Sequence, residues 1–125
     1  MAALGLTSAQ TKPLPVTIDI KPGDQETLLE DREGLIPVLL LSTPQFDAGS
    51  ADEASVRLGP SGTEASPLKS MTEDVDKDGD IDRLFLFRVR DMGIKCGVTV
   101  MRLTGRTTDG RSIEGSENVR IEGCR

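Results

Sequence analysis

Apolar and polar residues alternate with a period of two along much of this chain, the pattern of strands with one buried face. In residues 16–21, Val16, Ile18 and Ile20 fall on one side and Thr17, Asp19 and Lys21 on the other. Pro22-Gly23 ends that strand. The polar stretch 24–34 predicts an irregular loop or a short helical turn. Residues 35–41, Leu-Ile-Pro-Val-Leu-Leu-Leu, are a continuous apolar run of strand length. They predict a strand buried on both faces, with Pro37 near its start or on an edge, because proline donates no ladder hydrogen bond. Residues 54–58 predict a short strand ended by Gly59-Pro60-Ser61-Gly62. The clearest strand is 83–90, with Phe85, Phe87 and Val89 on one face and Leu84 and Leu86 on the other. Residues 98–104 are β-branched and apolar. Thr108-Asp109-Gly110-Arg111 then predicts a hairpin with a type I′ turn, and 112–114 and 118–121 supply one or two closing strands.

That makes about seven short strands separated by Gly and Pro turns, with no sustained 3.6-residue apolar stripe. The pattern predicts an all-β fold, an antiparallel β-sandwich of immunoglobulin-like character. The 125 residues amount to one domain, placed at 15–125, and no internal repeat or linker divides it. Residues 1–14 read as a disordered leader or the remnant of a signal peptide. They begin apolar and turn small, and Thr7 and Ala9 suit the positions before a signal-peptidase cut, yet the basic start and long apolar centre of a signal peptide are missing. The run 35–41 is far short of the roughly 20 apolar residues that span a bilayer.

Composition narrows the chemistry. The chain has no His, Trp or Tyr. Ser-His-Asp and Cys-His catalysis and His-bearing zinc sites are therefore excluded. Phe46, Phe85 and Phe87 alone could stack on a sugar or base, and they read as core or loop-anchoring residues. The net charge of -6 disfavours nucleic acid and anionic membranes, and makes metal cations the natural partners of any clustered acids.

Such a cluster exists. Asp74, Asp76, Asp78, Asp80 and Asp82 occupy alternate positions in Asp74-Val-Asp-Lys-Asp-Gly-Asp-Ile-Asp82. Calcium takes six to eight oxygens, and an EF-hand-type loop supplies them from positions 1, 3 and 5, a carbonyl at 7 and often a water at 9, with Gly at 6. Asp74, Asp76, Asp78, Asp80 by its carbonyl, Asp82 and Gly79 fill those places. Five carboxylates in nine residues repel one another, whereas a simple acidic turn needs only one or two. Position 12, the bidentate Glu of an EF-hand, falls at Phe85, and a strand pattern follows where a helix should. The loop therefore reads as the shorter D-x-D-x-D-G-x-x-D form embedded in β-structure. Its missing ligands come from water, from Asp82 directly or from elsewhere, Glu73 and Asp91 being nearest in sequence. Magnesium, which prefers a tighter octahedron, fits less well.

Cys96 and Cys124 are compatible with one disulfide closing a loop of roughly 28 residues, worth about 3 kcal/mol; two free buried thiols are the alternative.

Several stretches resemble a recurrent domain of bacterial and archaeal secreted proteins. They are Val16-Thr-Ile-Asp-Ile-Lys-Pro-Gly23, Gly34-Leu-Ile-Pro-Val-Leu-Leu-Leu41, Phe46-Asp-Ala48, Val56-Arg-Leu-Gly-Pro60, the acidic loop 74–82, Gly93-Ile-Lys-Cys-Gly97, Leu103-Thr-Gly-Arg-Thr-Thr-Asp-Gly110 and Ile113-Glu-Gly115. The resemblance covers about 100 residues in the family's order. It implies an extracytoplasmic β-domain with no catalytic residues to carry over. Where some members have a Cys after the second Glu-Gly this chain has Ser116, and Cys124, eight residues later, is the candidate to take over that pairing.

The expected function is that of a non-enzymatic, calcium-binding β-domain, secreted, periplasmic or on the cell surface, acting as a structural, accessory or adhesive module. The alternative is a recognition module that binds a protein or glycan through a calcium-bearing loop. A hydrolase with an acidic pair fits least, since no aromatic cleft accompanies the acids.

Overall fold

The computed structural model describes residues 12–21, 28–29, 34–73 and 81–122. Strands form where the sequence alternates and at three places where it does not. In chain order they are β1 (Leu14–Pro15), β2 (Thr17–Ile20), β3 (Leu28–Leu29), β4 (Leu35–Leu41) and β5 (Arg57–Gly59). They continue with β6 (Lys69–Glu73), β7 (Asp82–Arg88), β8 (Val100–Arg106), β9 (Ser112–Asn118) and β10 (Arg120–Ile121). One four-stranded sheet has the order β2-β4-β7-β6 and is antiparallel throughout. The other has the order β1-β9-β8-β5, antiparallel except for the parallel pair of β1 with β9. β3 and β10 form a two-residue parallel pair of their own. The all-β architecture and its two sheets follow the expectation.

The core lies between the two larger sheets. Ile18 and Ile20 of β2, Ile36, Val38 and Leu40 of β4, and Phe85 and Phe87 of β7 share one cluster with Leu58, Met101, Leu103 and Ile113 of the other sheet. Each such fully buried side chain contributes roughly 1.5–3 kcal/mol of transfer free energy. Phe85 and Phe87 lie 6.3 Å apart between ring centroids, in a tilted arrangement that suits aromatic quadrupoles. Phe46 is buried too, so all three phenylalanines serve the core.

Several local expectations need correction. β4 coincides with the apolar run, but it is buried on both faces only around Leu39; Leu35 is 51% exposed. Pro37 sits in a central strand, which is tolerated for a specific reason. Its carbonyl accepts from Lys21 N–H, so its backbone polar side faces β2, beyond the last ladder pair Ile20–Val38. No ladder bond to β7 is lost. The expected strand 54–58 begins instead as a 3-10 turn, Glu53–Ser55, because Asp52 caps it by accepting from Ala54 N–H, and extended structure starts only after it. β7 stops at Arg88 and a 3-10 turn takes Val89–Asp91, although Val89 stays buried beside the phenylalanines. The strand expected at 98–104 runs from Val100 to Arg106. The closing segment forms two strands, β9 running on from Ser112 to Asn118 and β10 following at Arg120–Ile121. The hairpin between β8 and β9 forms, but not with a type I′ turn: only Gly110 takes a positive φ, at 94°. Thr107 and Arg111 close a three-residue loop, and Gly110 N–H returns to the Thr107 carbonyl. β6 carries little apolar signal, as expected of a polar edge strand, and the sequence pattern passes over it.

The chain changes sheets between β1 and β2. Val16 donates its N–H to the Glu114 carbonyl, and a Cβ on Gly115 would lie 2.5 Å from the Val16 carbonyl oxygen. Only glycine allows this approach. Glu117 reaches across from β9 and accepts from Ile20 N–H at 2.8 Å, joining the two sheets on that side.

Candidate metal centre

The acidic run ends where β7 begins. Asp82 is its first residue and is fully buried, at 0% exposure. Asp74, Asp76, Asp78 and Asp80 lie outside the described residues. Among the described residues, no group of three or more His, Cys, Asp or Glu side chains is placed to hold an ion. Of the acidic run, the structure therefore describes Ile81 and Asp82.

The setting of Asp82 is unusual for a carboxylate. Oδ1 of Asp82 accepts from Ser42 N–H at 2.8 Å. Oδ2 is buried and has no hydrogen-bond partner. The ion pairs seen among the described residues are Arg83 with Glu53 and Arg102 with Glu114, and neither involves Asp82. A buried carboxylate normally has a cation, a metal or several donors around it, because taking the bare charge out of water costs several kcal/mol. In the β6–β7 pairing Glu73 stands in register with Asp82.

The same register sorts the candidate ligands. Asp91 lies in the 3-10 turn past the far end of β7, roughly 20 Å along the strand from Asp82. It cannot serve the same ion. Phe85, at the position of the missing Glu, is fully buried in the core, on the face of β7 opposite to Asp82.

Residues 42–50 pack against this end of β7. Ser42 Oγ donates to the Ile81 carbonyl at 2.7 Å and accepts from Ala48 N–H at 2.9 Å. Pro44 and Gln45 form the tip of a tight turn whose ends, Thr43 and Phe46, exchange both backbone hydrogen bonds. Asp47 then caps a 3-10 turn, accepting from Gly49 N–H at 2.9 Å. Phe46 and Ala48 are buried and anchor the segment. An open cleft lies between this loop and Ile81, lined also by Ser42, Pro44, Gln45 and Asp47. Nothing in the sequence pattern singles out Ser42. Its role depends on the β4–β7 pairing, which carries the chain just past Leu40–Arg83 to bring Ser42 beside Asp82.

Arg83, the next residue, faces the other way. Its guanidinium donates to the Ala51 carbonyl at 3.0 Å and to Ser70 Oγ at 2.9 Å, and stands 5.3 Å from the Phe85 ring. Ser70 in turn donates to Glu53, which lies 3.9 Å from Arg83. Arg83 braces β7, β6 and the turn at 51–55.

Cys96 is exposed in the turn before β8. Cys124 lies outside the described residues. No protein-family model matches the chain, and neither a curated protein nor a solved structure does.

Proposed function

We propose that this chain is a calcium-binding, non-enzymatic β-domain in which the ion joins the acidic run 74–82 to the start of β7. The observation that carries the reading is Asp82 Oδ2, a buried carboxylate oxygen with no partner at the end of that run. Asp82 fits a hard cation by its oxygen chemistry, and Asp74, Asp76, Asp78 and Asp80 are the remaining proposed ligands. The ion would offset the charge repulsion and hold the strand in place, which is a structural role and not that of a sensor with opening helices.

The strand order supports an immunoglobulin-like assignment. β2-β4-β7-β6 and β5-β8-β9 follow the A-B-E-D and C-F-G orders of immunoglobulin sandwiches, with β1 running parallel to β9. The motif resemblance to the secreted bacterial and archaeal domain, an extracytoplasmic location, and a Cys96–Cys124 disulfide belong to the same proposal. Two free thiols in the denatured, unreduced protein would refute the disulfide.

A second reading, recognition of a protein or glycan beside the ion, is favoured by the cleft between loop 42–49 and Ile81. The primary test is calcium titration by calorimetry, together with thermal melting in calcium and in chelator. Uptake of calcium with a rise in Tm is expected. A melting curve indifferent to both additions would end the calcium reading.

A further inference from the structure

We infer that the outer edge of β6 is a self-association site, where a second copy of this chain adds its own β6 antiparallel about a two-fold axis at Met71. This does not depend on the calcium reading. The other outer edges of the two larger sheets are closed. At β5, Leu58 and Ala65 exchange both backbone hydrogen bonds, so the chain covers its own edge. On β1, Val16 donates toward β9, so the residue before it faces away; that residue is Pro15, which has no N–H. On β2, the outward N–H of Ile20 is taken by the Glu117 carboxylate. Among the described residues, no strand or bridge pairs with the outer edge of β6.

The alternation of backbone groups says what that edge presents. Successive residues of an antiparallel strand bond to one neighbour and then to the other. Val89 donates its N–H to the Gly34 carbonyl, just past the β4–β7 pairing. Phe87, Phe85 and Arg83 therefore bond toward β4, and Leu86, Leu84 and Asp82 toward β6. Their partners Lys69, Met71 and Glu73 turn their backbone groups to β7. Ser70 and Thr72 turn theirs outward.

Antiparallel pairing about Met71 sets Ser70 opposite Thr72 of the second copy, and Thr72 opposite its Ser70. Each of these pairs exchanges both backbone hydrogen bonds. The same register sets Lys69 opposite Glu73 of the second copy, at both ends of the contact. These are non-hydrogen-bonded positions, where facing residues come closest and unlike charges attract. Charge complementarity thus selects a second copy in this register. A shift of two residues either way sets Met71 against Lys69 or Glu73 and loses the charge pairing. Lysine on an edge strand ordinarily discourages association, but here it meets an acid. Met71 meets its own copy at the axis. It shares a face with Leu84 and Leu86, all three half-buried, and Leu68 just before β6 is 49% exposed, so pairing extends an apolar face.

Sedimentation velocity of the full chain over a range of concentrations should show a monomer–dimer equilibrium. Lys69→Glu sets acid against acid and should weaken the dimer about 10-fold, and Glu73→Lys should do the same with lysines. An equimolar mixture of the two variants should recover the original association, because each copy supplies the charge the other lacks. Thr72→Pro removes an outward N–H and leaves the β6–β7 ladder bonds in place, so it should abolish the dimer while the monomer stays folded. A protein that is monomeric at every concentration overturns the inference. So does a dimer indifferent to Lys69→Glu and Thr72→Pro, or a mixture that fails to recover. In the unmodified protein, the Ser70 and Thr72 amides should exchange more slowly as concentration rises. Exchange that ignores concentration overturns the inference whether or not any variant folds.

Discussion

Asp82 and Arg83 are adjacent, opposite in charge and on opposite faces of one strand, yet the fold treats them differently. Arg83, with its side chain 11% exposed, has a backbone carbonyl, a hydroxyl, a carboxylate and an aromatic ring arranged around it. Its Nε alone lacks a partner. Asp82 is more deeply buried and has one hydrogen bond. Both pay the desolvation penalty of a buried ion, but only Arg83 is answered from within the described protein. The lesson concerns where each residue's charge is balanced. Arg83 is a brace completed by folding, whereas among the described residues Asp82 has one donor and an Oδ2 without a partner.

The largest effect should come from supplying or removing the proposed calcium ion. With a site that binds at about 10 μM and calcium near 1 mM, linkage contributes roughly 2.7 kcal/mol. For a domain of this size that corresponds to a Tm difference of roughly 10 °C between calcium and chelator, measurable by calorimetry. Asp82→Asn should erase the difference. In chelator this variant should be at least as stable as the original protein, because an amide loses the buried charge and keeps an oxygen for Ser42 N–H. An Asp82→Asn protein that still gained stability from calcium would show that Asp82 needs no ion.

Arg83→Met should behave in the opposite way. It preserves much of the apolar volume but strips donors from Ala51 and Ser70. A loss of about 2 kcal/mol is expected, the same in calcium and in chelator. Chemical denaturation under both conditions measures it. A calcium-dependent loss would mean that the two faces of β7 are coupled and that the contrast drawn above is too sharp.

How much of this was readable in advance follows from what each feature depends on. β4 and the phenylalanine core were legible because apolar runs and period-two alternation report burial directly. The turn at Glu53–Ser55 was not, since a local bond from Asp52 outweighs the strand pattern of the residues after it. β6 was missed because an edge strand needs polar residues and so resembles a loop. At the candidate site, the acidic spacing was legible and Ser42 was not. Glu73 and Asp91 looked equivalent as neighbours in sequence. In a strand, however, nine residues of separation carry Asp91 to the opposite end of the sandwich, while pairing returns Glu73 to face Asp82. Which strands pair, and in what register, is non-local information.

Another acid gives the smallest and cleanest refinement. Asp109, at the tip of the β8–β9 hairpin, is as exposed as Asp82 is buried, and the protein answers its charge without a cation. The Thr107 hydroxyl donates to its carboxylate, and this bond, with smaller help from nearby backbone N–H groups and Arg111, holds its pKa below the ordinary 3.8 despite a small opposing desolvation. A depressed folded-state pKa gives stability that is present above the unfolded value and is lost as pH falls through the folded one. The hairpin contribution should therefore persist at neutral pH and fade only in acid below about 3.8. Because the group is exposed, the effect on global stability should be slight. Thr107→Val removes the donor, so the Asp109 carboxyl resonance should titrate at a higher pH in the variant than in the original protein. Calcium should leave both titrations unchanged. If instead calcium moved the Asp109 titration, the ion's influence would extend from Asp82 through residues 42–52 to the hairpin, along the contacts of Ser50 with Thr108 and of Asp52 with Arg106.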